Sequence, residues 1–218
     1  MPGEYDKPYM MVRGLTQGTT YMIKYSTTDS AFYHPQIKAI LEEIDSSMST
    51  YRENSIISRI NRNDSFIKTD KHFKEVYRVA RRVSRMSDGA FDISVAPLVN
   101  AWGFGFTNRK KLDSTKIDSL LEFVGYENIS LEGEKIYKRD QRIMLDMSAI
   151  AQGYTVDVIC EFFENKQVGD YLIEIGGEVR TKGRNPDGKI WKIGVDKPTD
   201  SSVVSNQREL HSIVSLKD

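Results

Sequence analysis

The stretch LDMSAIAQGY, residues 145–154, has residue types that suit the binding of a phosphate-bearing ligand. The pattern predicts a strand that ends at Asp146 and a helix that begins near Ala149, with Ser148 as its N-cap. Such a junction presents free backbone N–H groups and the positive end of a helix dipole, which attract anions. The Asp146 carboxylate could also accept hydrogen bonds from a base or a ribose. From these residues alone, a helix that Asp146 and Ser148 simply cap is the favoured interpretation.

Three other segments have residues that could take part in chemistry. DGAFD places Asp88 and Asp92 around a glycine turn, and paired carboxylates can serve acid–base work or bind a cation. EIGGE follows a buried strand with Gly176-Gly177, which permits either close approach to a ligand or a plain tight turn. Tyr51 in MSTYRENS could stack on a planar ring. Taken singly, these segments are best interpreted as polar turns and a surface tyrosine.

Composition argues against several classes of protein. Lys and Arg number 31, as do Asp and Glu, so the chain lacks the basic excess of a nucleic-acid-binding protein. One cysteine, Cys160, and three scattered histidines offer no disulfide, cysteine-rich metal site or Ser-His-Asp triad. Neither a G-x-G-x-x-G motif nor a Walker A loop is present. No apolar run reaches the roughly 18 residues of a membrane span. The polar start MPGEYDKPY has no signal-peptide pattern and leaves the location open.

The hydrophobic pattern places these segments in an α+β fold. Two β-like runs are predicted within residues 9–27, and helices over His34–Met48, Lys71–Met86, Leu112–Phe123 and Ala149–Glu164. Residues 49–64 are predicted as a loop with one helical turn, and residues 91–106 are too broken for one long helix. A hairpin is predicted at Ile129–Tyr137, and strands at Arg142–Met147, Tyr171–Ile175, Ile190–Val195 and Leu210–Leu216. Hairpins segregated from helices favour α+β over strict βαβ alternation.

Taken together, the segments resemble one family, the ApbE-type FAD:protein FMN transferases. The matching stretches are QGTTYMIKY (17–25), MSTYRENSIISRIN (48–61), DGAFDISVAPLVNAWGFG (88–105), LDMSAIAQGYTVD (145–157), YLIEIGGEVRTKGRNPDGKIW (171–191) and IGVDKP (193–198). They occur in the family's order, with plausible spacing, over nearly the whole chain. Each motif alone is weak, but the ordered set is strong. The resemblance implies one ApbE-like domain over residues 1–218, with T-fold-related mixed sheets and flanking helices.

The resemblance also implies a chemistry. Such enzymes use Mg²⁺ and FAD, cut the FAD pyrophosphate, release AMP and pass FMN to a Thr or Ser hydroxyl of an acceptor protein. Positioning of the nucleophile and neutralisation of developing charge by a metal ion are the general requirements of such phosphoryl transfer. The protein is therefore expected to be a transferase that flavinylates another protein covalently.

Site residues follow from the resemblance position by position, although none of them is assigned as catalytic. FAD contacts are implied at Gln17, Tyr51, Ala90, Phe91, Asp92, Asp146 and Gln152. Ala149 matches a position that gives its backbone carbonyl to Mg²⁺, a role that a small apolar residue can fill because only main-chain oxygen is needed. Gln17 stands where the family often has Met, and Gln152 where Lys or Glu is common. The contact of Gln152 would then be a neutral hydrogen bond.

The resemblance sets an expectation about the C-terminal part as well. The family continues with an S-H-x-I-D-P-x-T-G motif and a segment whose Asp and Thr side chains complete the Mg²⁺ site, and neither occurs in residues 1–218. We therefore expect the C-terminal part of the fold to be missing, either because the chain is a fragment of a longer protein or because it is a natural truncation. Residues 1–218 alone are then expected to bind Mg²⁺ and transfer FMN poorly.

Two alternatives stay open beside transfer: Mg²⁺-dependent hydrolysis of FAD to FMN and AMP, and a non-catalytic flavin-binding remnant. Relatives that hydrolyse FAD are associated with a polar residue at the position of Tyr51, so the tyrosine favours transfer. The resemblance further implies an acceptor of the respiratory-complex subunit type with a D-x-T-x-A-T-like sequence. It implies a location in the periplasm or at the outer face of the cytoplasmic membrane of a bacterial cell envelope, as a lipoprotein with a lipid anchor.

Overall fold

The computed structural model describes residues 7–27, 31–104, 113–197 and 210–216. In chain order, its elements are β1 (Tyr9–Thr16), β2 (Thr19–Ser26), α1 (His34–Met48), α2 (Ile56–Asn61), α3 (Lys71–Met86), α4 (Ala96–Trp102), α5 (Ser114–Leu121), β3 (Ile129–Glu132), β4 (Lys135–Lys138), α6 (Ser148–Asn165), β5 (Tyr171–Ile175), β6 (Glu178–Lys182), β7 (Trp191–Asp196) and β8 (Leu210–Leu216). Residues 105–106 and Leu112, at the margins of two predicted segments, lie outside the described residues.

The chain divides into two compact units. Unit 1 comprises Met1–Ile37 and Val156–Asp218, and unit 2 comprises Lys38–Thr155. The boundaries therefore fall inside α1 and α6. None of the helices within the described residues is long and apolar enough to cross a membrane.

Unit 1 contains a four-stranded antiparallel sheet with the order β1-β2-β5-β6. Alternate side chains of β2 and β5 face each other in register and are buried, as in the pairs Ile23–Ile173 and Tyr25–Tyr171. This period of two is the pattern of a sheet with one face in the core. The ring of Phe163, on α6, packs against Tyr25 and Tyr171 with centroid distances of 5.0 and 5.4 Å. Strands β7 and β8 pair with each other in a separate two-stranded antiparallel sheet.

Unit 2 is built mainly of helices and carries the β3–β4 hairpin. Helix α3 buries a face with helical spacing that includes Phe73, Val76, Tyr77 and Ala80. Its N-terminus is capped by Asp70, whose side chain accepts the Phe73 amide at 2.7 Å. These two features explain why the predicted bounds of α3, Lys71–Met86, are confirmed.

The predicted strand Arg142–Met147 is wrong. The segment makes only an isolated parallel bridge between Met144 and Val95, because its main-chain groups find other partners. The Leu145 N–H and C=O pair with the side chain of Asn61, and the Asp146 amide donates to Ile93 O at 2.7 Å. The prediction that Ser148 is the N-cap is also wrong. Helix α6 already begins at Ser148, and the side chain that accepts a first-turn amide is that of Asp146.

Candidate functional site

A cavity of about 300 Å³ lies within unit 2, which is at the lower end of the range of roughly 300–1,000 Å³ for small-molecule sites. Its lining combines apolar and aromatic side chains with a few polar groups. The residues are Thr50, Tyr51, Asn61, Phe91, Asp92, Val95, Ala96, Val99, Asn100, Phe104, Met144, Leu145, Asp146, Ser148 and Ala149. Such a lining suits a ligand with a flat apolar ring and a polar tail.

The cavity brings together five of the residues that the sequence predicted, although they are up to about a hundred positions apart in the chain. These are Tyr51, Phe91, Asp92, Asp146 and Ala149. Three other predicted residues are not among its lining. Ala90 and Gln152 lie beside lining segments in unit 2, and Gln17 is in unit 1, at the β1–β2 turn with a φ of 50°. FAD contacts at these three residues stay predictions.

Tyr51 lies in a short segment that leads into α2. The hydroxyl of Ser55 donates to Ser49 O at 2.6 Å, and that of Ser58 donates to the carbonyls of Ser49 and Thr50 at 3.3 Å. These bonds fix the backbone directly before Tyr51, whose side chain is 67% exposed. The tyrosine thus presents a ring to solvent from an anchored backbone.

Asp146 and Ala149 lie at the start of α6. Oδ1 of Asp146 accepts the Ser148 amide at 2.7 Å, and the Ile150 and Ala151 amides donate to Met147 O at 3.0 and 2.9 Å. The Ser148, Ile150 and Ala151 amides thus already have acceptors, but this end of α6 carries the positive part of the helix dipole. The electropositive start of α6 and the Asp146 carboxylate therefore lie side by side at the cavity.

Asp92 has a different environment from the one that its motif suggested. Its Oδ1 accepts the amide and the hydroxyl of Ser94 at 2.7 and 2.6 Å, and its Oδ2 accepts the Tyr126 amide at 2.7 Å. The Ser94 hydroxyl accepts the Gly125 amide in turn, at 2.7 Å. Both carboxylate oxygens are engaged in holding the loop before β3, so the pairing of Asp88 with Asp92 for acid–base work is not supported.

A half-buried lysine, Lys138, connects two segments whose neighbouring residues line the cavity. Lys138 Nζ donates to Ile60 O, Ile143 O and Gln141 O at 3.1, 2.8 and 3.4 Å. Burial lowers the pKa of Lys138 from 10.5 to about 8, and the nearby charge of Asp140 opposes this shift. The ammonium group ties the end of α2 to the segment that leads to Asp146.

The oxygen donors around the cavity limit how a Mg²⁺ ion could be held there. Among the described residues, no group of three or more His, Cys, Asp or Glu side chains could hold a metal ion. Oδ2 of Asp146 has no partner within the described part of the chain, and Asp146 and Ala149 line the same cavity. A helical carbonyl keeps a second lone pair, and Mg²⁺ is usually bound by one or two carboxylates together with phosphate and water. These two donors fit a Mg²⁺ ion that a bound pyrophosphate shares, and they are too few to hold one without it.

A larger groove of about 1,000 Å³ lies in unit 1 and contains none of the predicted FAD-binding or metal-binding residues. Its lining includes Gly176 and Gly177, the glycines of EIGGE. Both have positive φ, 58° and 97°, in the two-residue turn between β5 and β6. The turn geometry accounts for this glycine pair, so we place the candidate site in the smaller cavity of unit 2.

Sequence reasoning missed several cavity residues, notably Asn61, Asn100 and Phe104. All three lie inside stretches that resemble the family, MSTYRENSIISRIN and DGAFDISVAPLVNAWGFG. Their presence in those stretches was the available signal. Their convergence was not visible, because it depends on tertiary contacts such as that between Asn61 and Leu145.

Comparison with known sequences identifies the relatives of the chain. The sequence profile of the ApbE family matches residues 17–218. A protein from Haemophilus influenzae named FAD:protein FMN transferase is 36% identical, covering 94% of this chain and 62% of the relative. One of the same name from Vibrio cholerae is 35% identical, covering 98% of this chain and 65% of the relative. The chain thus spans somewhat less than two thirds of the length of these curated relatives.

Solved structures agree with this match and confirm the predicted ApbE-like α+β fold. The flavin transferase ApbE from Vibrio cholerae superimposes with a TM-score of 0.84 at 32% identity, over 96% of this chain and 69% of that one. The apo flavinyl transferase ApbE from Pseudomonas stutzeri gives a TM-score of 0.79 at 31% identity, over 87% and 66%. On the extent of the sequence match and the shared fold, the chain belongs to the ApbE family.

Proposed function

We propose that this protein binds FAD in the cavity of unit 2 and transfers its FMN half to a Ser or Thr hydroxyl of an acceptor protein, releasing AMP. The observation that carries the proposal is the meeting of Tyr51, Phe91, Asp92, Asp146 and Ala149 around one cavity. The names of the relatives support the same activity.

The apolar part of the cavity suits the flavin ring. Tyr51 and Phe104 are 67% and 78% exposed and both line the cavity, where Val95 and Val99 add aliphatic surface. Exposed aromatic rings are ready to stack on a flat heterocycle, and such stacking is worth about 1–3 kcal/mol for each base in nucleotide complexes. We assign the isoalloxazine ring to this side.

The start of α6 suits the pyrophosphate. The positive end of the helix dipole attracts its negative charge. The Asp146 carboxylate and the Ala149 carbonyl would supply oxygen ligands to a Mg²⁺ ion bound with it. Bound Mg²⁺ would neutralise the charge that develops on the phosphoryl oxygens. The Asp146 carboxylate is held in place by its bond to the Ser148 amide.

The transfer step exchanges one P–O bond for another. The acceptor hydroxyl oxygen bonds to the phosphorus of the FMN half, the bond from that phosphorus to the bridging oxygen breaks, and AMP leaves. The hydroxyl proton is released in the process. The site contributes orientation and charge stabilisation, the general requirements of phosphoryl transfer.

FAD binding is the first test of this proposal, measured by flavin fluorescence during titration of residues 1–218. We expect saturable binding that Tyr51→Ala weakens by about tenfold, because a stacking partner is lost. The matched control is Phe66→Ala, since Phe66 is also an exposed aromatic residue of unit 2, 87% exposed, and does not line the cavity. Equal effects of the two substitutions would contradict the assigned site.

Product analysis separates transfer from its alternatives. The product of the complete gene is incubated with FAD, Mg²⁺ and an acceptor bearing a D-x-T-x-A-T-like sequence. Flavin fluorescence that stays with the denatured acceptor, together with AMP, is the expected result. Free FMN without labelled acceptor would favour the hydrolase, and tight FAD binding without turnover would favour the non-catalytic alternative.

We also propose, from the family resemblance, that the protein acts in the periplasm or at the outer face of the cytoplasmic membrane as a lipid-anchored protein. A respiratory-complex subunit is the acceptor class that this location supports. Fractionation of the source cells, followed by detection of the protein and of covalently bound flavin, tests both points. Recovery of the protein in the cytosolic fraction would contradict the proposed location.

A further inference from the structure

Two walls of the candidate site are fixed to the same short helix, α2. On one side, Ser58 of α2 and the N-cap residue Ser55 donate to the carbonyls of Ser49 and Thr50, directly before Tyr51. On the other side, the last residue of α2, Asn61, binds the residue directly before Asp146. The separation of the ring-binding and phosphate-binding walls is therefore set through α2.

On the Asp146 side, the carboxamide of Asn61 makes the two main-chain hydrogen bonds that a neighbouring strand would otherwise make. Asn61 Nδ2 donates to Leu145 O at 2.9 Å, and the Leu145 amide donates to Asn61 Oδ1 at 2.7 Å. Both groups of Leu145 are thus satisfied by a single side chain 84 positions away. Leu145 is fully buried, with 0% exposure, so water cannot easily replace these bonds.

We propose that Asn61 is a positioning residue of the site: its paired hydrogen bonds with Leu145 hold Asp146 at the start of α6 in the orientation that the bound ligand requires. Asn61 acts through Asp146 and is not itself assigned a chemical role. The part of this inference that concerns FAD rests on the proposed function, whereas the part that concerns the orientation of Asp146 does not.

The first test uses ligand-free protein and amide hydrogen exchange. In Asn61→Ala, exchange of the Leu145 amide should accelerate by about tenfold or more, while the β2–β5 ladder of unit 1 is unchanged. The matched control is Asn63→Gly. Asn63 donates to Gln141 O at 3.1 Å, in the same segment but outside the cavity, and its φ of 62° suits glycine. Unchanged exchange at Leu145, or equal acceleration throughout the protein, would overturn the positioning role.

The second test is a double-mutant cycle on FAD affinity. Asn61→Ala should weaken FAD binding by about tenfold, in line with the loss of supporting contacts around other sites. If Asn61 acts through Asp146, the same substitution should have almost no further effect in an Asp146→Ala background. Additive losses would refute the proposal. Asn61→Ser, whose side chain is too short to reach both groups of Leu145, replaces Asn61→Ala if that variant does not fold.

The two tests distinguish failure of this inference from failure of the proposed function. Wild-type protein that does not bind FAD would contradict the proposed function, and the exchange measurement would then decide alone whether Asn61 positions Asp146. FAD binding with additive losses would leave the function standing and remove the role of Asn61.

Discussion

Asp92 gives the sharpest prediction about how the site is held together. Its carboxylate accepts three hydrogen bonds, two from Ser94 and one from the Tyr126 amide. The Asp92→Asn substitution replaces one carboxylate oxygen with an NH₂ group. This NH₂ group must then face a hydrogen-bond donor, either the Ser94 N–H and O–H or the Tyr126 N–H. Ser94 is fully buried and cannot turn to water instead.

The expected loss follows from these contacts. A hydrogen bond to a charged group contributes about 1.5–3 kcal/mol, and the substitution removes one such bond and weakens the two others. We expect the free energy of unfolding to fall by about 2–3 kcal/mol, which for a chain of this size lowers Tm by about 4–12 °C. Asp88→Asn is the matched control, because it makes the same change in the same DGAFD motif at an exposed residue with a φ of 52°, which asparagine tolerates. It should stay within about 0.5 kcal/mol of the wild type.

Thermal and urea unfolding of the two variants and the wild type, with FAD titration in parallel, make the comparison. If Asp92→Asn is as stable as Asp88→Asn, the stabilising role that we assign to the Asp92 carboxylate is refuted, whatever the effect of the substitution on FAD binding. A loss of stability in Asp92→Asn alone agrees with its role in holding the loop before β3.

Three further predictions concern stability and reactivity. Burial lowers the pKa of Lys138 from 10.5 to about 8, so between these pH values the unfolded chain holds a proton that the folded chain has lost, and the unfolding free energy rises with pH. Urea unfolding should therefore show that the free energy of unfolding of the wild type, relative to that of Lys138→Met, is higher at pH 10 than at pH 7. The same difference between the two proteins at both pH values would contradict this. Gly183→Ala should cost about 1–3 kcal/mol by thermal unfolding, because φ is 62° and the added Cβ would lie 2.5 Å from Gly169 O; an unaltered Tm would be inconsistent with that geometry. Burial raises the pKa of Cys160 to about 11, so iodoacetamide should label it slowly in native protein and quickly in urea, as mass spectrometry can measure; fast native labelling would count against its burial.

Periodicity predicted the helices well, since the bounds of α1 and α3 are those that the spacing of apolar residues gave. Each of these helices buries a stripe of its own residues, so the local sequence contains most of the information. The two β-like runs within residues 9–27 and the hairpin at Ile129–Tyr137 were predicted for a similar reason, because glycines mark the turns, which lie at Gln17-Gly18 and Gly133-Glu134.

The segment Arg142–Met147 shows where this reasoning stops. Its apolar run was typical of a strand, but Asn61 and Ile93 provide the hydrogen bonds that a neighbouring strand would have provided. No local pattern records a partner 84 positions away. The same limit applies to the pairing of Asp88 with Asp92 for acid–base work, because the two Asp92 oxygens accept hydrogen bonds from Ser94 and Tyr126.

The central claim is that the cavity of unit 2 is the flavin nucleotide site, and NMR-monitored titration of FAD into residues 1–218 tests it most directly. We expect the largest changes in amide chemical shift at Tyr51, Phe91, Asp146 and Ala149. Changes concentrated in the groove of unit 1, at residues such as Gly176 and Ile193, would contradict it, as would the absence of any saturable change.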